Sequence, residues 1–381
     1  MGNVERIRCA IIRGGTSKGI FLLANDLPSD KKQRDQVICS IFGSPDIRQI
    51  DGLGGADPLT SKLAIIARST HPDADVDYTF GQVSLTAPYI DYSGNCGNIS
   101  AGVGPFAIDE GLVNAGDNMT SVRIHNTNTG KIIVAEVPTL NGKAAVYGDC
   151  VIDGVPGTGA KIMLDYSDTA GAITGKMLPT GNPSDVLEIA DWGKITVSIV
   201  DVANPVVYIR AKDVGLVGTE GPQLVNSNPE LLNLLEKIRG TVAVKIGMAT
   251  DLEDALKRSP AFPMLAFVSA PADYKSYTNG EVISAGHIDI VSRLMFMQTM
   301  HKTYAGTGTI CTGAAIKIPG SIAHEAVADA DSKTLFRIGH PSGIIDVDVD
   351  IESNSGEITL VRAAMSRTAR RIMDGYVYIC R

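Results

Sequence analysis

Gly94-Asn95-Cys96-Gly97-Asn98-Ile99-Ser100-Ala101-Gly102-Val103-Gly104-Pro105 has a second copy further along the chain, Thr309-Ile310-Cys311-Thr312-Gly313-Ala314-Ala315-Ile316-Lys317-Ile318-Pro319-Gly320. Each copy has a Cys, then small residues and an Ile, then a Pro eight or nine positions on. A repeat at half-chain distance predicts two similar domains, each with its own buried helix. In the first copy the helix is expected over Ile99–Ile108 with Asn95 as N-cap, so the N–H groups of Gly97 and Asn98 point in front of Cys96. Such a helix end favours anions and lowers a thiol's pKa. A reactive thiol beside a carboxylate pocket is one reading. A small Cys in a tightly packed helix, with Gly97, Gly102 and Gly104 allowing close approach, is the other.

The chain has 381 residues, enough for two cores. Its net charge of −8 argues against nucleic acid or an anionic membrane as partner. The six cysteines (9, 39, 96, 150, 311 and 380) contain no C-x-x-C pair and no metal-ligand spacing, the usage of a reducing compartment. Met1–Arg8 is charged, without the apolar core of a signal peptide, and no apolar run of ~18 residues occurs. A soluble cytoplasmic protein is expected.

Working outward, Ile7–Ile12 and Ile20–Leu23 read as strands joined by Arg13-Gly14-Gly15-Thr16-Ser17-Lys18-Gly19. That turn either cradles an anion or is a plain hairpin; it is not a Walker loop. Ser29–Phe42 carries Val37, Ile38, Ile41 and Phe42 at helical spacing. The polar run Asp51–Ser61 leads into apolar Leu63–Ile66 with Lys62 at the junction. A desolvated Lys there has a depressed pKa and serves as a base; a Lys that snorkels to water does not. Val76, Tyr78 and Phe80 alternate as in a half-buried strand, and Asn126–Gly130 between Ser121–His125 and Lys131–Val137 signals a hairpin.

Further strands are expected at Ala144–Cys150, Ile195–Val200, Val206–Ala211, Val242–Gly247, Met264–Ser269, Ile344–Asp350, Glu357–Arg362 and Gly375–Ile379. Helices are expected at Pro229–Ile238 and Ala285–Met300. The fold class is α+β with mainly antiparallel strands. The domains are 1–184, with 367–381 returning to it, and 185–366.

Eight motifs in order, RGGTSKG (13–19), GGADPLTSK (54–62), NCGNISAGVGP (95–105), HNTNTGK (125–131), VDVANP (200–205), SRLMFMQ (292–298), ICTGAA (310–315) and RTARRIM (367–373), carry a resemblance over essentially the whole chain. The chain resembles the family of 2-methylaconitate isomerases, 4-oxalomesaconate tautomerases and 3-methylitaconate Δ-isomerases, of the diaminopimelate-epimerase-like fold, and is nearest to its methylitaconate branch. The resemblance implies two similar domains, each an antiparallel barrel-like sheet around a central helix. It implies a cofactor-independent shift of a C=C bond by 1,3-proton transfer in a small unsaturated di- or tricarboxylate, such as 3-methylitaconate to 2,3-dimethylmaleate. The 2-methylaconitate and 4-oxalomesaconate reactions, and further off a two-thiol racemase or epimerase, are the alternatives.

It further implies Lys62 and Cys96 as the acid–base residues, with Cys311 matching by position the second thiol of the epimerases. No metal, phosphate or nucleotide cofactor is implied, and a homo-oligomer is expected. The dienolate such a reaction forms needs N–H donors at its carboxylates. Gly97 with Asn98, and Thr312 with Gly313, are the expected helix starts that supply them. Thr16, Ser17, Asn95 and Asn128 are further candidates for carboxylate contacts. His340 and His125 are weighed as alternative bases against a role as backbone-bonded turn residues, and Arg370-Arg371 as an anion contact against a solvated basic face.

Overall fold

The computed structural model describes residues 4–354 and 357–380. It divides into two compact units, Met1–Leu164 with Arg367–Arg381, and Asp165–Ser366. The sequence reading put the division at 184/185. In the structure residues 166–177 already belong with the second unit, because the Tyr166 N–H donates to Ala363 O, Gly171 N–H to Asp201 O, and Ala203 N–H to Thr169 O.

In the first unit, β1 (Val4–Gly14) and β2 (Ser17–Leu23) form an antiparallel hairpin, and β3 (Lys62–Arg68) runs parallel to β2. β4 (Val76–Val83) is antiparallel to β3 and carries the short β5 (Ile90–Asp91). β6 (Met119–Asn126) lies parallel to β4 and pairs with antiparallel β7 (Lys131–Leu140). The C-terminal strand Ala369–Cys380 pairs with β1.

Alternation along these strands gives the sheet two faces. One packs against α1 (Lys31–Phe42): Ile20, Leu22, Leu63, Ile65, Val83 and Ile90 meet Val37, Ile38, Ile41 and Phe42. Asp30 caps this helix by accepting from Gln33 N–H, and Gly43 ends it at φ +71°. The opposite face packs against α2 (Gly97–Asp109), which touches β1, β2, β3, β6 and β7. The glycines of α2 let this face come close. A Cβ on Gly102 would lie 2.7 Å from Phe21 Cζ, and one on Gly104 2.7 Å from Val137 Cγ2. Burial of Ile99, Val103 and Phe106, each worth ~1.5–3 kcal/mol, offsets the helix-propensity cost of ~1 kcal/mol per glycine.

The second unit repeats the same series of pairings. β8 (Gly193–Val202) and β9 (Asn204–Arg210) form a hairpin, and β10 (Met264–Ser269) is parallel to β9. β11 (Ile290–Phe296) is antiparallel to β10 and carries β12 (Thr299–Met300). β13 (Leu335–His340) is parallel to β11 and pairs with antiparallel β14 (Gly343–Asn354). α3 (Pro229–Lys245) covers one face through Leu231, Leu234, Leu235 and Ile238, and α4 (Gly306–Lys317) contacts β8, β9 and β14. The units are α+β as expected, though each also contains parallel pairings.

Three local expectations are corrected. Ala285–Met300 is not a helix: Ala285–His287 is a 3-10 turn and the rest holds β11 and β12. Every residue of β11 is buried, so the strand shows no polar alternation and its apolar positions also satisfy helical spacing. Val242–Gly247 is not a strand, since Val242 extends the buried stripe Leu231, Leu235, Ile238 of α3. Ala144–Cys150 contributes only the ends of two short strands, Lys143–Ala144 and Cys150–Val151. Among the described residues, no helix is long and apolar enough to cross a membrane.

Candidate active site

Lys62 is the first residue of β3 and points to the α2 face, where it is 3 % exposed. Its Nζ lies 3.2 Å from the Sγ of Cys96, itself 7 % exposed. Cys96 is the N-cap of α2, with extended backbone (φ −122°, ψ 103°) and no side-chain capping bond, so its thiol is left for the lysine. This corrects the expectation that Asn95 is the N-cap. Asn95 Oδ1 instead accepts from Cys96 N–H at 2.6 Å and from Ser100 Oγ at 3.3 Å, which fixes the backbone at the thiol. A buried lysine amine and a thiol at a helix start, in hydrogen-bond contact, form a pair between which one proton can pass directly.

The β1–β2 turn sits on the first turn of α2. A Cβ on Gly14 would come within 2.2 Å of Asn98 O, and Gly15, at φ +50°, would place one 2.3 Å from Asn98 Oδ1, so both positions require glycine. Asn98 Nδ2 donates to Thr16 Oγ1 at 3.1 Å, and Arg367 Nε donates to Asn98 Oδ1 at 3.0 Å. Arg13 holds the turn from behind, donating to Gly15 O and to the O and Oγ1 of Thr368. Burial first, then nearby Arg370, lowers its pKa from the ordinary value. Ser17 Oγ is buried with no hydrogen-bond partner among the described residues. Asn95, Gly97 and Asn98 thus flank Cys96 along the chain, with Thr16 bonded to Asn98 and Ser17 next to Thr16 at the β1–β2 turn.

The second set of candidates is arranged differently. Cys311 is the sixth residue of α4, whose N-cap is Ala305, so Thr312 and Gly313 lie in the helix interior and are not a helix start. The hydrogen bonds identify the true counterparts. Ser100 N and Oγ both donate to Cys96 O, and Thr309 N and Oγ1 both donate to Ala305 O. Asn98 bonds the β1–β2 turn, and Thr307, in the same helical position, bonds Asn204 of the β8–β9 turn. The repeat therefore aligns Cys96 with Ala305, six residues before Cys311.

Cys311 is fully buried, donates to Val200 O, and burial above all pushes its thiol up to about 12. Thr312 Oγ1 bonds the hydroxyls of Tyr208 and Tyr304 in the core. A Cβ on Gly313 would lie 2.6 Å from Val349 Cγ2, so Gly313 serves the packing of α4 on β14.

Asn128 stands apart as well: its Oδ1 accepts from Phe80 N–H and its Nδ2 donates to Phe80 O and Tyr92 O, which uses the amide to tie β4 to the segment after β5. His340 is buried with Nδ1 accepting from Ser342 N–H, and His125 bonds Asp77 near the surface. Arg371 bonds Glu110 and Asp374. A surface cleft of about 1070 Å³ beside α1 contains none of the candidate residues. Among the described residues no cluster of three or more His, Cys, Asp or Glu is placed to hold a metal ion.

The family described as "PrpF protein" matches residues 4–380. The chain belongs to the PrpF family. One relative is the 3-methylitaconate isomerase of Eubacterium barkeri, 60% identical over 379 residues, covering 100% of this chain and 98% of that one. Another is the 2-methyl-aconitate isomerase of Cupriavidus necator, 38% identical, covering 98% and 97%. A crystal structure of methylitaconate-delta-isomerase matches at a TM-score of 0.81 and 60% identity, over 99% of this chain and 96% of that one. A probable proline racemase from Agrobacterium radiobacter shares the fold at 15% identity and a TM-score of 0.56, covering 97% and 92%. The fold is thus that of the diaminopimelate-epimerase-like proteins.

Sequence reasoning did not single out Gln82, Asp91 or Arg367, which the structure joins by strand pairing or hydrogen bond to Lys62 and Asn98. Arg367 falls within the RTARRIM motif, but only folding brings it to Asn98. Gln82 and Asp91 reach the α2 face by strand register, which no local pattern displays.

Proposed function

We propose that the protein is an isomerase that moves a C=C bond by 1,3-proton transfer in a small unsaturated dicarboxylate, converting 3-methylitaconate to 2,3-dimethylmaleate. The observation that carries this is the buried 3.2 Å contact between Lys62 and Cys96 at the start of α2. The relatives named for 3-methylitaconate and 2-methyl-aconitate isomerisation support the same class of reaction.

In this reading one member of the pair removes the proton on the carbon alpha to a carboxylate. The electron pair moves into a dienolate spread over that carboxylate, and the other member protonates the terminal methylene, which becomes a methyl group. One C–H bond breaks, one forms, and the double bond shifts; no electron or group leaves the substrate, so the chemistry calls for no redox or group-carrying cofactor. N–H groups of Gly97 and Asn98 in the first turn of α2 favour negative charge on the substrate carboxylates, assisted by the Thr16 and Ser17 hydroxyls. The Lys62–Cys96 contact returns the pair to its starting protonation state by direct transfer after each turnover.

The second helix start, Ala305, carries no thiol, which favours this reading over two-thiol epimerisation. The test is an ultraviolet assay on 3-methylitaconate, 2-methylaconitate and 4-oxalomesaconate with wild type and Cys96→Ala. Wild type turns over 3-methylitaconate best, and Cys96→Ala loses at least ~10²-fold in kcat, the scale of a positioned acid or base. Near-normal turnover by folded Cys96→Ala overturns the assignment.

A further inference from the structure

Strand register builds a polar row beneath α2. Gly19 of β2 pairs with Lys62 of β3, Lys62 with Gln82 of β4, and Gln82 with Asp91 of β5. In-register partners share a face, so all four lie on one side of the sheet. That side is the one α2 covers, since a Cβ on Gly19 would lie 3.0 Å from Ile99 Cδ1. Lys62, Gln82 and Asp91 are 3 %, 1 % and 2 % exposed. A carboxylate this buried costs stability unless it has a function or firm partners.

The second unit shows that the fold does not need charged residues here. There the first residue of the parallel strand is Met264, the strand beside it ends in Phe296, and Phe296 pairs with Thr299. Met264 and Phe296 are buried apolar side chains where the first unit has Lys62 and Gln82. The corresponding positions of the second unit are thus two buried apolar residues and an exposed Thr299, while the first unit keeps a buried lysine and a buried aspartate on one row.

Asp91 is the only carboxylate on the α2 face of β2 to β5 among the described residues. Its Oδ1 accepts from Ser93 N–H at 2.8 Å, which opens the turn leading to Cys96. Gln82, between the two charges, donates from Nε2 to Pro58 O and Ser61 O and so holds the residues just ahead of Lys62. Its Oε1 is buried with no partner among the described residues. Other charged and titratable groups on the neighbouring elements are Arg13, which bonds Thr368 O, Arg367, which bonds Asn98 of α2, Tyr78 on the α2 face of β4, and Asp57, which caps Leu59 N–H. Lys18 alternates onto the opposite face.

We propose that Asp91 is a positioning residue, the buried carboxylate that holds Lys62 as an ammonium opposite Cys96 and aligns the turn that presents the thiol. This rests on the Lys62–Cys96 reading above. Asp91 touches no reacting atom in this account; it acts through the field it sets up two strands from Lys62.

The test is the pH profile of kcat/KM for wild type, Asp91→Asn and Asp91→Glu on 3-methylitaconate. Asp91→Asn keeps an acceptor for Ser93 N–H but removes the charge, and loss of a negative charge makes both Lys62 and Cys96 give up protons more easily. Both limbs of the profile therefore move to lower pH by about one unit, the effect of a charge ~10 Å away at an effective dielectric constant of ~20. Asp91→Glu restores the wild-type limbs. The rate of iodoacetamide labelling at Cys96, read on its own peptide, shows the same displacement without any turnover. Should Asp91→Asn fail to fold, Asp91→Ser is the second neutral variant for both readouts.

Limbs and labelling unmoved by loss of the charge, or a uniform fall in rate at every pH, overturn the proposal and leave Asp91 a structural turn residue. That outcome is distinguishable from failure of the acid–base reading, in which Cys96→Ala or Lys62→Ala retains turnover.

Discussion

At the scale of single residues, the two candidate thiols differ because of where each falls on its helix. Cys96 occupies an N-cap, with Sγ against an ammonium, and Cys311 sits inside α4 with its thiol on a backbone carbonyl. The lysine invites a sharp substitution. Lys62→Arg keeps the positive charge beside Cys96, but a guanidinium neither accepts nor gives up a proton near neutral pH. We expect kcat to fall at least ~10²-fold while the folded state persists. The measurement is steady-state turnover of 3-methylitaconate beside a circular dichroism spectrum; a variant within tenfold of wild type reduces Lys62 to an electrostatic contact.

At the scale of elements, the two central helices are the same device with different chemistry at their starts. Both begin under a hairpin turn, both bond a hydroxyl back to the N-cap carbonyl, and only α2 begins with a thiol. The Cys311 side chain lies one and a half turns further in, in a core of Tyr208, Tyr304 and Thr312. Cys311→Ser preserves a small donor to Val200 O, and we expect kcat within about threefold of wild type. A loss equal to that of Cys96→Ala, measured in the same assay, would favour the two-thiol epimerase chemistry. The sequence repeat itself was legible, but its register was not: small residues and prolines recur in both copies, and matching the two cysteines shifted the second copy by six residues.

At the scale of the whole molecule, several buried groups are held neutral by the fold. Burial pushes Cys311 up to about 12, Cys39 to about 11 and Tyr304 to about 12. In the unfolded chain the same thiols titrate near their ordinary value of 9.0 and the tyrosine near 10.0. Above pH 9 the unfolded chain therefore binds fewer protons than the folded one, and stability falls with rising pH until the folded-state values are passed. The contribution of these groups is fully present below pH 9. We expect the melting temperature to decline steadily between pH 9 and 11, and Cys39→Ala to decline less steeply over that range than wild type. A flat melting temperature across it is the contrary result.

What the sequence determined alone is local. Helical spacing marked α1, alternation marked β4, and the glycines at 102 and 104 announced close approaches that the packing then requires. The motifs that carry the family resemblance also singled out Lys62 and Cys96 as a candidate pair before any distance was known. Other decisions belonged to the tertiary structure. β11 is buried on both faces, so its pattern carries no period that separates strand from helix. Asp91 and Arg367 are 29 and 305 residues from Lys62, and neither has a local signature of the site. Asp91 joins Lys62 because β3, β4 and β5 are paired in one register, and Arg367 reaches Asn98 because the last strand returns to β1. Hydrogen bonds between strands carry this information, and they are set by the balance of packing over the whole unit rather than by the order of neighbouring residues.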